Sequence, residues 1–449
     1  MNWARLQRAR DLSTALLLAA IAIHWSASAG QAQFFNRSVG GVTVDIDGVL
    51  SNPDVSEMKE LHAAWQAGLA EVPADMEKPT DLRFVSLRRL EAEVARALEQ
   101  GQPIPDAVRY LAGLKRVQYV LVYPDRQDIV LAGPAEGWRI DGLGNVVGAT
   151  SNRPVLLLDD LMVALRASES SNRSGISCSI DPTPEGIARL EQISGGLSAD
   201  RGARQAAQQM ERALGPQRIT VTGVPATSHF ARVLVAADFR MKRLGMDFEP
   251  AAVDGLPSYL DMISARTVGQ GNLMPRWWLA PSYEPLRRDE AGLAWEIRGQ
   301  GVKCMTEQDV VTGGGIQHTG HSEPIAQKWA DNFTAKFEEL AREDSTFGQL
   351  RNVMDLAVVA ALLAKEGLIE FTALELPQLG GGAPLDQYAA PRSVASQASL
   401  VKKGRNWVVS VSGGVQIYPW QVADRTEVSS DLAATRPAAD QAAPSWWWQ

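Results

Sequence analysis

The segment Val117 to Gly148, VQYVLVYPDRQDIVLAGPAEGWRIDGLGNVVG, restricts the fold more than any other part of the chain. Four short runs rich in Val, Ile and Tyr are cut by Pro124-Asp125, Gly133-Pro134 and Asp141-Gly142. Breakers at that spacing end any helix, and the gaps are too short for the crossover that parallel neighbours need. The strands must fold back on one another, which predicts an antiparallel meander. Upstream, GVTVDIDGVLS (Gly41 to Ser51) alternates valines with polar residues around Asp47-Gly48, a type I′ turn pair, and reads as a hairpin.

Helical spacing surrounds these β signals. From about Asp54 to Gly113 the pattern is helical, and in SLRRLEAEVARALEQG (Ser86 to Gly101) Leu87, Leu90, Val94 and Leu98 share a stripe that Gly101 ends. Ile176 to Ile180 alternates as a strand, and Asp181-Pro-Thr-Pro-Glu185 opens a helix behind it. Arg218 to Val224 is a further strand. In TSHFARVLVAADFRMKRLG (Thr227 to Gly245), Phe230, Val233, Leu234, Ala237, Met241 and Leu244 fall at helical spacing. A second β section, with at least three strands, runs from Arg276 to Gln308, and helices over about 324–342 and 347–365 close the globular part.

Strand runs mixed with helices without strict alternation indicate an α+β fold, mainly antiparallel sheets with packed helices and a closing helix pair. The expected organisation is a globular region over 36–371, divided into a hairpin with helices (36–115) and a mixed α+β core (116–371). A Pro/Gly/Ala/Gln-rich linker follows over 372–400, then a terminal hairpin over 401–420 and a disordered tail over 421–449. Trp446 to Trp448 sit in a tail with no core of its own, so they either dock elsewhere or form a sticky end.

The first residues set the expected destination. Arg5, Arg8 and Arg10 precede an apolar run from Leu12 to Ile23 and the small-residue stretch Ala27-Ser-Ala29, the order of a secretory signal peptide over 1–29, with 32 as a second cleavage point. About twelve apolar residues fall short of the roughly twenty of a spanning helix. No later run is longer: Leu356 to Ala364 is the most apolar. The expectation is an exported, periplasmic or secreted protein with no membrane span in the mature chain. Once the leader is removed, 41 basic face 51 acidic side chains, a net charge of −10, which argues against nucleic acid as a partner.

Several strings have a familiar look. YLAGLKRVQYVLVYPDRQDIVLAGPAEGW (110–138), CSIDPTPEGIARL (178–190), FRMKRLGM (239–246), RWWLAPSYEPL (276–286) and QLRNVMDLAVVAALL (349–363) resemble a family of exported bacterial proteins known only as a domain of unknown function. The resemblance covers about Gly41 to Phe371. It implies membership and export, and no activity, cofactor or catalytic residue.

The common catalytic signatures HExxH, CxxC, GxSxG and the Walker loop are missing from the sequence. Gly142 to Gly148 mimics a dinucleotide fingerprint but continues as turn and strand. Asp45-Ile-Asp47-Gly48 mimics a calcium loop, yet its twelfth position is Ser56. Asp159-Asp160 offers paired carboxylates for acid and base work, or more simply the acidic first turn of a helix.

GGGIQHTGHSE (Gly313 to Glu323) holds His318, His321 and Glu323, the atom types of an open zinc site, against the simpler reading of a polar turn. The remaining histidines after the leader, His62 and His229, fall on expected helices. Strand parity turns Cys178 and Cys304 inward, as a disulfide or as two free thiols. Trp277, Trp278 and Trp295 are candidates to stack on a sugar or a partner surface, against burial in the core.

The leading expectation is a non-enzymatic exported protein that binds a protein partner or envelope polysaccharide, with no cofactor. The alternative is a metal-assisted hydrolase, using zinc, at the His318/His321/Glu323 loop.

Overall fold

The computed structural model describes residues 38–53, 55–194, 203–263, 273–312, 315–318, 320–397, 401–403, 406–408, 412–436 and 446–449. The expected leader therefore lies outside the described residues. The fold is α+β, with two large, mostly antiparallel sheets. In the nine-stranded sheet the order is Thr43–Val44, Val49–Ser51, Ser393–Val394, Gln217–Thr222, Ile176–Asp181, Ser412–Ile417, Leu273–Ser282, Gly301–Thr312, Gly315–His318. In the seven-stranded sheet it is Thr426–Val428, Leu286–Arg288, Ala294–Glu296, Tyr119–Tyr123, Asp128–Ala135, Thr80–Ser86, Trp447–Trp448.

The Asp47-Gly48 hairpin is present, with Thr43 opposite Ser51. Asp45 Oδ1 accepts the backbone N–H groups of Asp47 (2.9 Å) and Val49 (2.8 Å), so this carboxylate closes the turn. The expected meander divides. Tyr119–Tyr123 pairs with Asp128–Ala135 in the larger array, while Trp138–Ile140 and Val146–Gly148 form a separate two-stranded sheet.

Three helices organise the core: α1 (Leu158–Ser174), α2 (His229–Gly245) and α3 (Ser345–Lys365). Every residue of α3 from Thr346 to Leu363 is buried. By length and composition α3 could cross a membrane, but 94% of its apolar window is covered by the rest of the fold. It also carries Asp355, which takes two hydrogen bonds from Arg116 (2.9 and 3.0 Å) and one from the Tyr283 hydroxyl (2.8 Å). That buried carboxylate has its lone pairs satisfied, as burial requires.

Over its described part, 372–397, the segment expected as a linker over 372–400 is not one. The Glu91 carboxylate accepts the backbone N–H groups of Gln378 (2.7 Å) and Leu379 (2.9 Å). Arg166 on α1 donates to the carbonyls of Gln378, Leu379 and Ala383. Two charged side chains thus clamp a segment whose own sequence has no periodicity, and Leu379 and Ala383 are buried. Ser393–Val394 then inserts between strands from the first and middle thirds of the chain.

The terminal regions differ from expectation in the same way. Val401–Lys403 pairs with Asn406–Val408, but Ser412–Ile417 enters the large sheet between Ile176–Asp181 and Leu273–Ser282. Gly413 is required there. Its φ is +137°, and a Cβ would lie 1.5 Å from the Trp277 carbonyl oxygen. Within the expected disordered tail, Thr426–Val428 and Trp447–Trp448 each extend the seven-stranded sheet, and Trp448 stacks on Phe84 at 5.3 Å.

Candidate functional site

Among the described residues, a cavity of about 240 Å³ lies where the first turns of α1 and α2 meet. Ser228 caps α2: its hydroxyl accepts the Ala231 N–H (3.1 Å) and donates to the Pro225 carbonyl (2.7 Å). This fixes His229 as the first residue of the helix, and its ring lines the cavity. Across from it, the first turn of α1 presents Asp159 and Asp160.

Asp160 and His229 form a buried pair. Nδ1 of His229 lies 2.9 and 3.1 Å from the two carboxylate oxygens. A carboxylate can only accept, so Nδ1 carries the hydrogen and Nε2 is the basic nitrogen. No hydrogen bond from a described residue reaches Nε2. The Tyr388 ring packs against the imidazole at 5.8 Å, and its backbone N–H donates to the Thr227 carbonyl (2.9 Å). The segment expected as a linker thus supplies one cavity wall.

Asp159 faces that same segment. Its Oδ2 accepts the Asp386 N–H (2.9 Å), and the Asp386 carboxylate is ion-paired with Arg109. Burial, then the neighbouring charge of Asp386, pushes the Asp159 carboxyl up to about 7. Burial acts against the Arg109 guanidinium, but Asp386 and its other neighbours outweigh it and raise its pKa. A third wall comes from α3 and the turn at Asn145. Gln349 donates to the Asn145 side-chain oxygen (2.9 Å), and Asn352 donates to the Pro154 carbonyl (3.0 Å). The opposite ends of both amides, Gln349 Oε1 and Asn352 Oδ1, are buried without a partner, and so is Ser38 Oγ. All three residues line the cavity.

The metal, cysteine and tryptophan candidates read from the sequence lie outside this cavity. Gly315–His318, expected within a polar turn, is a short edge strand with His318 opposite Asp309; the His318 side chain lies outside the described residues. His321 is exposed. Glu323 caps the helix Pro324–Ala335, accepting from the N–H groups of Ile325 (3.0 Å) and Ala326 (2.8 Å). A carboxylate committed to a helix end has a structural task already. Among the described residues, no three His, Cys, Asp or Glu side chains are placed to hold a metal ion.

Cys178 and Cys304 are both buried and both free. They occupy one row of the large sheet: Cys178 is opposite Val415, Val415 is opposite Leu279, and Leu279 is opposite Cys304. Three strand spacings separate them, about 14 Å, twice the reach of a disulfide. The disulfide alternative is therefore excluded, and burial raises both thiols well above their ordinary range.

Trp277 is fully buried against Tyr259 and Trp329, and Trp295 is buried in the other sheet with its indole N–H on the Gly292 carbonyl (3.0 Å). Neither can stack on a ligand. Trp278, on the opposite face from Trp277, is half-buried beneath the Arg276 guanidinium at 5.1 Å.

The cavity residues were only partly visible in the sequence. Asp159-Asp160 stood out as paired carboxylates, and His229 fell on an expected helix. Nothing local connects them with Gln349, Asn352, Asp386 or Tyr388. No curated protein and no solved structure matches the chain. Residues 178–259, which include His229, match the model of the family described as "Protein of unknown function (DUF1598)", in keeping over that span with the resemblance read from the sequence.

Proposed function

We propose that this is an exported binding protein whose cavity takes a small polar molecule rich in hydrogen-bond donors. The observation that carries the reading is the polar wall of one cavity: the Asp159 carboxylate and the His229 imidazole line it, and among the described residues Asp159 has no ion pair and His229 Nε2 takes no hydrogen bond. Polar groups shielded from bulk water are almost always hydrogen-bonded, so both call for a partner. A small ligand with hydrogen-bond donors supplies one. A volume of about 240 Å³ equals roughly eight waters at liquid density, the size of a single sugar ring and below the range of drug-sized ligands. The leader pattern of Arg5, Arg8, Arg10 and Leu12 to Ile23 supports export, and the acidic balance supports a ligand other than nucleic acid.

The test is ligand-observed NMR on the mature chain with a panel of monosaccharides and polyols, repeated on the Gln349→Leu/Asn352→Leu double variant. Saturable binding that weakens at least tenfold in the variant, with its melting temperature retained, supports the reading. Binding that is indifferent to the double substitution places the ligand elsewhere.

The Asp160–His229 pair favours a second reading, proton transfer on the bound molecule with Nε2 as the base. That reading requires turnover of a bound panel member, lost in His229→Gln while binding persists.

A further inference from the structure

We infer that the cavity moves a proton between adjacent carbons of a small α-hydroxy carbonyl compound, an open-chain sugar or a fragment of one, with His229 Nε2 as the base and Asp159 as the acid that serves the oxygens. The inference rests on the second reading above, proton transfer by Nε2, and adds the acid and the class of substrate. The base comes from the dyad. Asp160 holds Nδ1 of the imidazole at 2.9 and 3.1 Å, which leaves the lone pair on Nε2. His229 is 7% exposed, its ring lines the cavity, and Nε2 takes no hydrogen bond from a described residue. A buried basic nitrogen left without a partner in a cavity wall is a group that a bound molecule has to satisfy.

Asp159 reaches the same cavity from the first turn of α1. Its Oδ2 accepts the Asp386 N–H (2.9 Å), and its Oδ1 takes no hydrogen bond from a described residue. The charged and titratable groups around it are Asp160 and Arg166 on its own helix, Arg109 and Tyr110 at the end of the short helix Asp106–Arg109, His229 on α2, and Asp386 and Tyr388 opposite. Arg109 favours the ionised carboxylate, but burial, then Asp386 and Asp160, outweigh it. At about 7, the carboxyl can give up a proton and take one back near neutral pH. Ser38 is the only Ser, Thr or Cys among the described residues that line the cavity, and its hydroxyl is shut inside the protein. The walls therefore offer a base and an acid, and no serine, threonine or cysteine nucleophile.

That pair selects the chemistry. A carbon-bound hydrogen beside a carbonyl is too weak an acid for an imidazole unless the oxygen is protonated as the C–H bond breaks, and a carboxyl group does this. Nε2 takes the hydrogen from the hydroxyl-bearing carbon, the C–H pair becomes a C=C bond, and the carbonyl pair moves to its oxygen, which takes the Asp159 proton. The enediol then gives its other hydroxyl proton to the Asp159 carboxylate. The O–H pair becomes the new C=O bond, and the C=C pair takes the proton back from Nε2 at the former carbonyl carbon. The substrate is isomerised, both residues are restored and no co-reactant is consumed. A hydroxy aldehyde of sugar size fits the volume of about 240 Å³ and brings the hydrogen-bond donors that the walls lack.

The experiment is proton NMR of the mature chain in deuterated buffer with glyceraldehyde, xylose and glucose, with saturable binding read in the same samples. The expected result is conversion of at least one aldose into its ketose well above the buffer rate, falling above about pH 7 as Asp159 ionises. His229→Gln should lose the conversion and keep binding. Asp159→Asn, whose amide oxygen can still accept the Asp386 N–H, should lose it by about a hundredfold or more with fold and binding retained. Deuterium entering the aldose through His229, with Asp159→Asn as active as the parent, would overturn the acid and leave Nε2 as the base. Conversion that survives His229→Gln would overturn the base as well. Binding with neither exchange nor conversion would overturn proton transfer and leave the binding site standing, and absence of saturable binding by all three would remove the site itself.

Discussion

The histidine loop and the cavity solve opposite problems. Between Gly313 and Glu323 the chain gathers two imidazoles and a carboxylate in consecutive sequence, yet His321 is exposed and Glu323 is spent on capping a helix. The cavity draws its groups from Ser38 to Tyr388, across most of the chain, and the fold brings them to one place. Ligand-type residues on one stretch of backbone each lose entropy when they order, and nothing compensates unless separate elements hold them. In the cavity, α1, α2, α3 and a clamped return segment each contribute one or two groups on rigid backbone. Density of chemistry in sequence is therefore a weaker sign of a site than convergence of elements.

The largest expected difference between the two regions is in stability. Asp160→Ala strips the acceptor from a buried imidazole N–H and should cost about 3 kcal/mol in denaturant unfolding, as the breaking of buried pairs does. A loss below about 1 kcal/mol would mean the pair is not part of the folded architecture.

Next is Asp159→Asn, whose effect depends on pH. The folded carboxyl sits at about 7 against an ordinary 3.8, so the folded state binds more protons than the unfolded state between those values. Stability from this group is present below about pH 4 and is lost as pH rises to about 7. The Asn variant should melt higher than the parent at pH 8 and close to it at pH 4. An equal offset at both pH values would contradict the raised carboxyl.

On the loop, Glu323→Ala removes a helix cap and should cost about 1 kcal/mol. His321→Ala, at an exposed position, should stay within about 0.5 kcal/mol. If His321→Ala proved as costly as Asp160→Ala, the contrast between the regions would fail.

What the sequence made legible follows from the range of each signal. The Asp47-Gly48 hairpin, the helix over His229–Gly245 and the opposite facing of Trp277 and Trp278 rest on periods of two or 3.6 residues and on neighbouring caps. Parity turned both cysteines inward, but whether they meet depends on strand order, which placed two strands between them. The return of residues 372–397 had no local signature, because Glu91 and Arg166 hold its backbone instead of its side chains. Losing that segment from view hid Asp386 and Tyr388, and with them the cavity. Pro, Gly and Gln content marks irregular backbone, which is a different property from mobility.

The most direct test of the cavity against the loop reads every histidine at once. In the mature chain these are His62, His229, His318 and His321. Long-range proton–nitrogen NMR of histidine-labelled protein, titrated with a monosaccharide or polyol that binds, should show His229 protonated at Nδ1 and shifting saturably, with His318 and His321 unmoved. A saturable shift confined to His318 and His321, with His229 unmoved, would contradict the account.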